Sequence, residues 1–242
     1  MNIQVYNDAS KAGVAAAQVF AAQIIRDPFS VLGMATGSTP LPTYQALVEL
    51  YKAGIIDFST IRTFNLDEYV GISRDHEQSY YSFMFENLFS QVNIDPDNVQ
   101  VPYPASDDLE NDCRAYDDAI EEVGGIDLQI LGIGHNGHIA FNEPGDVFTY
   151  STHIVELTES TIEANKRFFE SADEVPRKAM TMGIGSIMKA REIILIATGK
   201  DKAQAVANMV LGEIDPKCPA SALLLHPQVT VFLDKEAASL LV

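Results

Sequence analysis

The stretch "GIGHNGHIAFNEPG" places His135, His138 and Glu143 among Gly132, Gly134, Gly137 and Gly145. An imidazole with a carboxylate beside it can move protons near neutral pH; the carboxylate orients the ring and stabilises its charged form. His138 sits between glycines just after the apolar run "LQIL", which argues for a side chain facing a site rather than a core. The H-x-x-H spacing of His135 and His138 also raises a metal centre. Zinc sites add cysteines or a third histidine at recognisable spacing; none is present here, so no metal is expected. "GIGHNG" fits the dinucleotide pattern G-x-G-x-x-G, but that pattern should open a helix, and this stretch reaches Pro144 within a few residues. The glycines are read instead as allowing a ligand or another backbone to approach closely.

Three further sets of residues carry possible chemistry. In "TGSTP", Thr36, Gly37, Ser38 and Thr39 offer hydroxyls and loop N–H groups before a helix start at Pro40, a cradle for a phosphate. The same letters also suit an ordinary turn with a Ser or Thr cap, and the Gly-Lys-Ser/Thr ending of a P-loop is missing. In "FNLDEYVG", Asp67 falls at a strand end, where a carboxylate acts as a general base if its surroundings raise its pKa; capping is the alternative job. Glu68 beside it is read as a solvated or structural partner. Arg167 in "ANKRFFES" and Lys202 in "TGKDKAQ" could complete a phosphate clamp, or be surface charges.

The chain around these residues is strongly acidic: 34 Asp and Glu against 16 Lys and Arg leave a formal charge of −18 over 242 residues. Such a surface repels nucleic acid and anionic membranes, so neither is expected as a partner, and an anion must be held at a local site. Hydrophobic residues make up 47%, enough for a core, without an apolar run long enough to span a bilayer. No secretory leader is visible in "MNIQVYNDAS". Cys113 and Cys218 are far apart and read as reduced thiols of a cytoplasmic protein.

Apolar strands alternate with amphipathic helices along the chain. Strands are expected over 3–7, 29–37, 61–69, 128–134, 191–199 and 230–234; helices over 8–27, 40–54, 79–89, 109–125, 161–171 and 200–212, with a short one over 180–190. Asp8 or Ser10 is the expected cap of the first helix. This alternation predicts an α/β fold: a single domain over 1–242, a mostly parallel sheet with helices on both faces, in a Rossmann-like three-layer sandwich. Ligands of such sheets sit at the carboxyl ends of the strands, where "GMATGSTP", "FNLDEY", "GIGHNGH" and "ATGKDK" should converge. Weak periodicity after Glu143 suggests a surface segment or lid around 143–170.

Taken together, "TGSTP", "TFNLDEYVG", "SYYSFM", "GIGHNGHIAFNEP", "NKRFF" and "TGKDKA" resemble the glucosamine-6-phosphate deaminase family, in the family's order and over nearly the whole chain. The superfamily also holds 6-phosphogluconolactonases, but the "IAFNEP" continuation sides with the deaminases. The resemblance implies conversion of glucosamine 6-phosphate and water to fructose 6-phosphate and ammonia, with no cofactor. It implies that His138 opens the sugar ring, flanked by Asn136 and Glu143, and that Asp67 moves a proton from C2 to C1. Thr36, Gly37, Ser38, Thr39, Arg167 and Lys202 would hold the 6-phosphate. Some members carry Asp in place of Asn136. Allosteric members carry a basic pair where "THIVELT" has His153 and Val155, and hexameric members have a longer tail. A non-allosteric enzyme, monomeric or a small homo-oligomer, is therefore expected. Two rival readings remain: a sugar-phosphate lactonase, which has no use for Asp67 as a carbon base, and a sugar-phosphate sensor without turnover.

Overall fold

A computed structural model describes residues 1–157 and 175–241. Its centre is a seven-stranded, wholly parallel sheet of β1 (Asn2–Tyr6), β2 (Val31–Met34), β3 (Arg62–Asn65), β5 (Val99–Gln100), β6 (Leu128–Leu131), β9 (Glu192–Ala197) and β10 (Val229–Asp234). The strand order is β1-β10-β9-β6-β2-β3-β5. β2, β6 and nearly all of β9 are buried on both faces, as continuous apolar runs in a parallel sheet require.

Among the described residues the α-helices are α1 (Ala9–Arg26), α2 (Leu41–Lys52), α3 (Tyr80–Asn87), α4 (Leu109–Glu122), α5 (Ile184–Met188) and α6 (Ala203–Leu211). Alanine spacing on α1 buries Ala12, Ala16, Phe20 and Ile24 along one stripe, the period expected of a core-facing helix. Asp8 caps it by accepting the Lys11 N–H at 2.9 Å. From β2 the chain steps outward to β3 and β5; from β6 it steps the opposite way to β9 and β10. With right-handed crossovers, the first direction places α1, α2 and α3 on one face, and indeed α1 packs on α2 and α2 on α3. The return direction places α4, α5 and α6 on the other. β2 and β6 are neighbours whose following loops diverge to opposite faces, which opens a crevice at their carboxyl ends.

A second sheet departs from the expected layout. β4 (Asp67–Tyr69), β8 (Lys178–Thr181) and β7 (His153–Glu156) form an antiparallel sheet in the order β4-β8-β7. The single strand expected over 61–69 breaks at Leu66, and hydrogen bonds explain the break. Leu66 N–H donates to Met34 O of the parallel sheet, whereas Leu66 O accepts from Met182 N–H beside β8. The short helix expected over 180–190 is corrected in the same way: Met180 and Thr181 belong to β8, and α5 begins only at Ile184, after Gly183. A short apolar run has no decisive period, and pairing on both edges made it a strand. The weakly periodic segment after Glu143 contains β7. Residues 158–170 of the expected lid, and the helix expected over 161–171, lie outside the described residues.

Candidate active site

The crevice between the β2 and β6 loops is a cleft of about 640 Å³, within the size range of small-molecule sites. Thr36, Gly37, Ser38 and Thr39 line it from β2, Asp67 from β4, His135 and His138 from the β6 loop, and Lys202 from the turn before α6. Arg167 lies outside the described residues.

The β2 loop differs from a simple helix N-terminus. Pro40 and Pro42 have no N–H, and those of Leu41 and Thr43 are spent on Ser38 O and Pro40 O. The amides of Gly37, Ser38 and Thr39 have no acceptor among the described residues. Gly37 has φ +98°, a conformation that side chains other than glycine's resist. The loop therefore brings these three N–H groups to the edge of the cleft, a set of donors that suits an anion. Below it, Tyr44 hydroxyl bonds to both N–H and O of Ala35, fixing the strand end. Lys202 Nζ adds a cation, held 3.5 Å from Asp201 Oδ2.

Across the cleft, the β6 loop is a tight turn closed by Gly134 N–H to His138 O at 2.8 Å and Gly137 N–H to Gly134 O at 3.0 Å. A side chain at Gly134 would place its Cβ 2.2 Å from the His138 ring, so this glycine makes room for the imidazole. His138 Nδ1 lies 3.3 Å from Glu143 Oε1, near enough for an ion pair though not aligned as a hydrogen bond. Asn136 joins the group on both sides. Its Nδ2 donates to Glu143 Oε2 at 2.7 Å, and its Oδ1 accepts the His138 N–H at 3.2 Å. His138, through its ring and charge, holds the Glu143 carboxyl below its usual range against the opposing effect of burial, with a smaller contribution from Asn136. Asn136 and Glu143 thus stand behind His138.

Asp67 is in the reverse situation. It is 7% exposed, and its carboxylate has no hydrogen-bond partner among the described residues. Burial first, and the Glu68 charge second, push its pKa up to about 8. A carboxylate matched to neutral pH in this way suits proton abstraction from carbon. Glu68 points away from the cleft, as alternation along a strand requires, and is 2% exposed, a buried structural group rather than a solvated one.

The motif reading passed over part of the cleft wall. Tyr80 and Phe141 both line it and stack with centroids 6.2 Å apart. Tyr80 hydroxyl also meets Tyr69 hydroxyl at 3.1 Å. "SYYSFM" reads as a helix and as part of the family resemblance, and neither gives Tyr80 a place in a site. Among the described residues, no three His, Cys, Asp or Glu side chains gather into a group able to hold a metal ion.

Comparison with known proteins identifies the family. The family model described as glucosamine-6-phosphate isomerases/6-phosphogluconolactonase matches residues 7–232. The glucosamine-6-phosphate deaminase of Thermoanaerobacter pseudethanolicus is 58% identical over 93% of this chain and 89% of its own. That of Clostridium botulinum is 51% identical over 99% of this chain and 98% of its own. Among solved structures, a monomeric glucosamine-6-phosphate deaminase superposes with a TM-score of 0.95 at 44% identity, covering 99% of this chain and 100% of that one. A 6-phosphogluconolactonase from Thermotoga maritima has a TM-score of 0.75 at 20% identity, covering 96% and 98%, a likeness of fold. The chain belongs to the glucosamine-6-phosphate isomerase/6-phosphogluconolactonase family.

Proposed function

We propose that this chain is a glucosamine-6-phosphate deaminase, an isomerising enzyme that converts glucosamine 6-phosphate and water to fructose 6-phosphate and ammonia. The observation that carries the reading is the buried Asp67, raised to about 8, in the same cleft as His138, behind which stand Glu143 and Asn136. The 6-phosphate sits on the Gly37–Thr39 amides, with the hydroxyls of Thr36, Ser38 and Thr39, Lys202 and Arg167 as further ligands. Anchoring that end fixes C1 and C2 beside the reactive side chains, so remote binding energy serves the chemical step.

His138 takes the proton of the anomeric hydroxyl and supplies one to the ring oxygen, which opens the ring. Asp67 then removes the C2 proton. The electron pair forms the C1–C2 double bond of an enolamine, and the aldehyde oxygen receives a proton from His138. Asp67 returns its proton to C1, giving an iminium at C2, whose hydrolysis gives back to His138 the proton it lent to the aldehyde oxygen. Water adds there and ammonia leaves, so one water is consumed for each ammonia released. The substrate's own amine and carbonyl hold the electrons, and no cofactor takes part. Asn136 and Glu143 act by orienting His138. A lactonase needs no base at the position of Asp67, and its burial favours the deaminase.

The chain works as a single sugar-phosphate domain over 1–242 in the cytoplasm. The monomeric state of the relative at 44% identity supports a monomer here, without allosteric activation. The test is ammonia release from glucosamine 6-phosphate in excess chelator, with fructose 6-phosphate followed in parallel. Equal yields of both are expected. Absence of ammonia under every condition would overturn the reading, and dependence on an added divalent ion would overturn its metal-free form.

A further inference from the structure

Asp67 and Glu68 are consecutive, both buried, and point to opposite sides of β4. Asp67 enters the cleft. Glu68 enters the start of α3, where Oε1 accepts the N–H groups of Tyr69 at 2.9 Å and Tyr80 at 3.0 Å, and Oε2 accepts that of Tyr81 at 3.0 Å. Two of these donors belong to the first turn of α3, whose amides lack intrahelical acceptors. Ser79 already caps that helix through the Ser82 N–H, so Glu68 is not needed for an ordinary cap. A second, buried carboxylate there costs desolvation. Its grip joins the strand of Asp67 to the turn that presents Tyr80, and Tyr80 is stacked on Phe141 of the opposite wall.

Accepting the deaminase reading above, we infer that Glu68 is a positioning residue of the reaction: it clamps the Tyr80 wall of the cleft to the strand that carries Asp67 and sets a second carboxyl group, held by three backbone N–H groups, behind that base. The charge of that group disfavours a second negative charge on Asp67, so the base is kept protonated to higher pH than burial alone would achieve. The other groups facing Asp67 are Tyr80 from α3 and Tyr116 from α4, both pushed well above the usual tyrosine range by burial first, so they stay neutral across the assay window. His135 and His138 face the cleft from the β6 loop. Burial raises the Glu68 carboxyl itself, opposed by the N–H groups of Tyr80, Tyr69 and Tyr81 and by the Arg74 cation, which favour its charged form.

Two substitutions separate the clamp from the charge. Glu68→Gln keeps the shape but removes the anion and one acceptor. We expect kcat to fall about tenfold or more and the acid limb of kcat/KM to move down by roughly half to one pH unit. Glu68→Asp keeps the charge but shortens the reach, so kcat should fall several-fold while the acid limb stays in place. A Glu68→Gln enzyme with wild-type kcat and an unmoved acid limb would overturn the inference. So would a loss of kcat with the limb unmoved, the mark of a purely structural role. Should Glu68→Gln fail to fold, Glu68→Asp decides: full kcat, or a kcat and a Tm lowered together, goes against the inference, and a reduced kcat with KM, Tm and the acid limb all unmoved goes for it. Wild-type turnover is read first on the same preparation. No ammonia there defeats the deaminase reading, whereas normal turnover with unaffected variants defeats only the role of Glu68.

Discussion

The two walls of the cleft hold a carboxylate each and treat it in opposite ways. On the β6 side, Glu143 is bonded by Asn136, faces His138, and is held low. On the β4 side, Asp67 has burial and a like charge for company and is held high, at about 8. Environments that drive two carboxyls apart suit them to different work: in the mechanism proposed above, an anion that orients a histidine, and a group that gains and loses a proton during turnover. Partnership explains the first and the withholding of partners explains the second.

The largest test of this contrast is Asp67→Asn. Turnover should fall by at least about a thousandfold, because general-base catalysis and its chemical step are lost together; near-normal ammonia release would break the comparison. The same variant should be more stable. Asp67 has its pKa raised from 3.8 to about 8, so its contribution to stability is present below the unfolded value and is gone once pH has risen past about 8. A neutral amide escapes that loss, less the cost of its unpaired N–H groups, leaving on the order of 1–3 kcal/mol at pH 8 and a Tm higher by a few degrees. Thermal melts at pH 5 and pH 8 check the sign, the gain being larger at pH 8.

Next in size is Glu143→Gln. It keeps a bond to Asn136 but removes the charge that faces His138, and kcat should fall about 10- to 100-fold, with ring opening most affected. A comparison of the cyclic substrate with one that cannot cyclise would then narrow the difference. Of similar size, but in KM, is Thr39→Ala, which removes one hydroxyl from the phosphate loop. KM should rise by roughly ten- to a hundredfold, the worth of one hydrogen bond to an ion, with kcat nearly kept; a fall in kcat alone would mean that the loop does more than bind. The subtlest is Asn136→Asp. A second negative charge behind His138 favours the protonated ring, so the pH–rate profile should move, and superimposable profiles for the two enzymes would refute the idea that Asn136 leaves Glu143 to supply that charge alone.

Much of this contrast was legible in letters alone, but unevenly. His138, Asn136 and Glu143 lie within one local turn, so glycines and short spacing reveal them as a group. The same holds for Thr36 to Thr39. Asp67 could be placed at a strand end, but its burial depends on α3, α4 and the second sheet, none of which is local to it. The break at Leu66 was invisible because "IRTFNLDEY" is a good strand throughout; only its bonds to Met34 O on one side and from Met182 N–H on the other divide it. Glu68 was read as an ordinary neighbour for the same reason: its three amide donors come partly from residues more than ten positions away. β7 was missed because the pairing that makes it a strand is with β8.

The transfer of the chain at Leu66 from one sheet to the other also bears on how the molecule comes apart. His138 and the phosphate loop are rooted in a seven-stranded sheet at the heart of the main core, whereas Asp67 is rooted in a three-stranded sheet whose separate buried cluster, among the described residues, comprises Tyr69, Leu157, Val175 and Ala179. Small cooperative units open at lower free energy than the units they rest upon. In rising urea, ammonia production should therefore cease while the parallel sheet still resists hydrogen exchange, because the two halves of the catalytic pair are owned by different cooperative units and the weaker one sets the working limit of the enzyme.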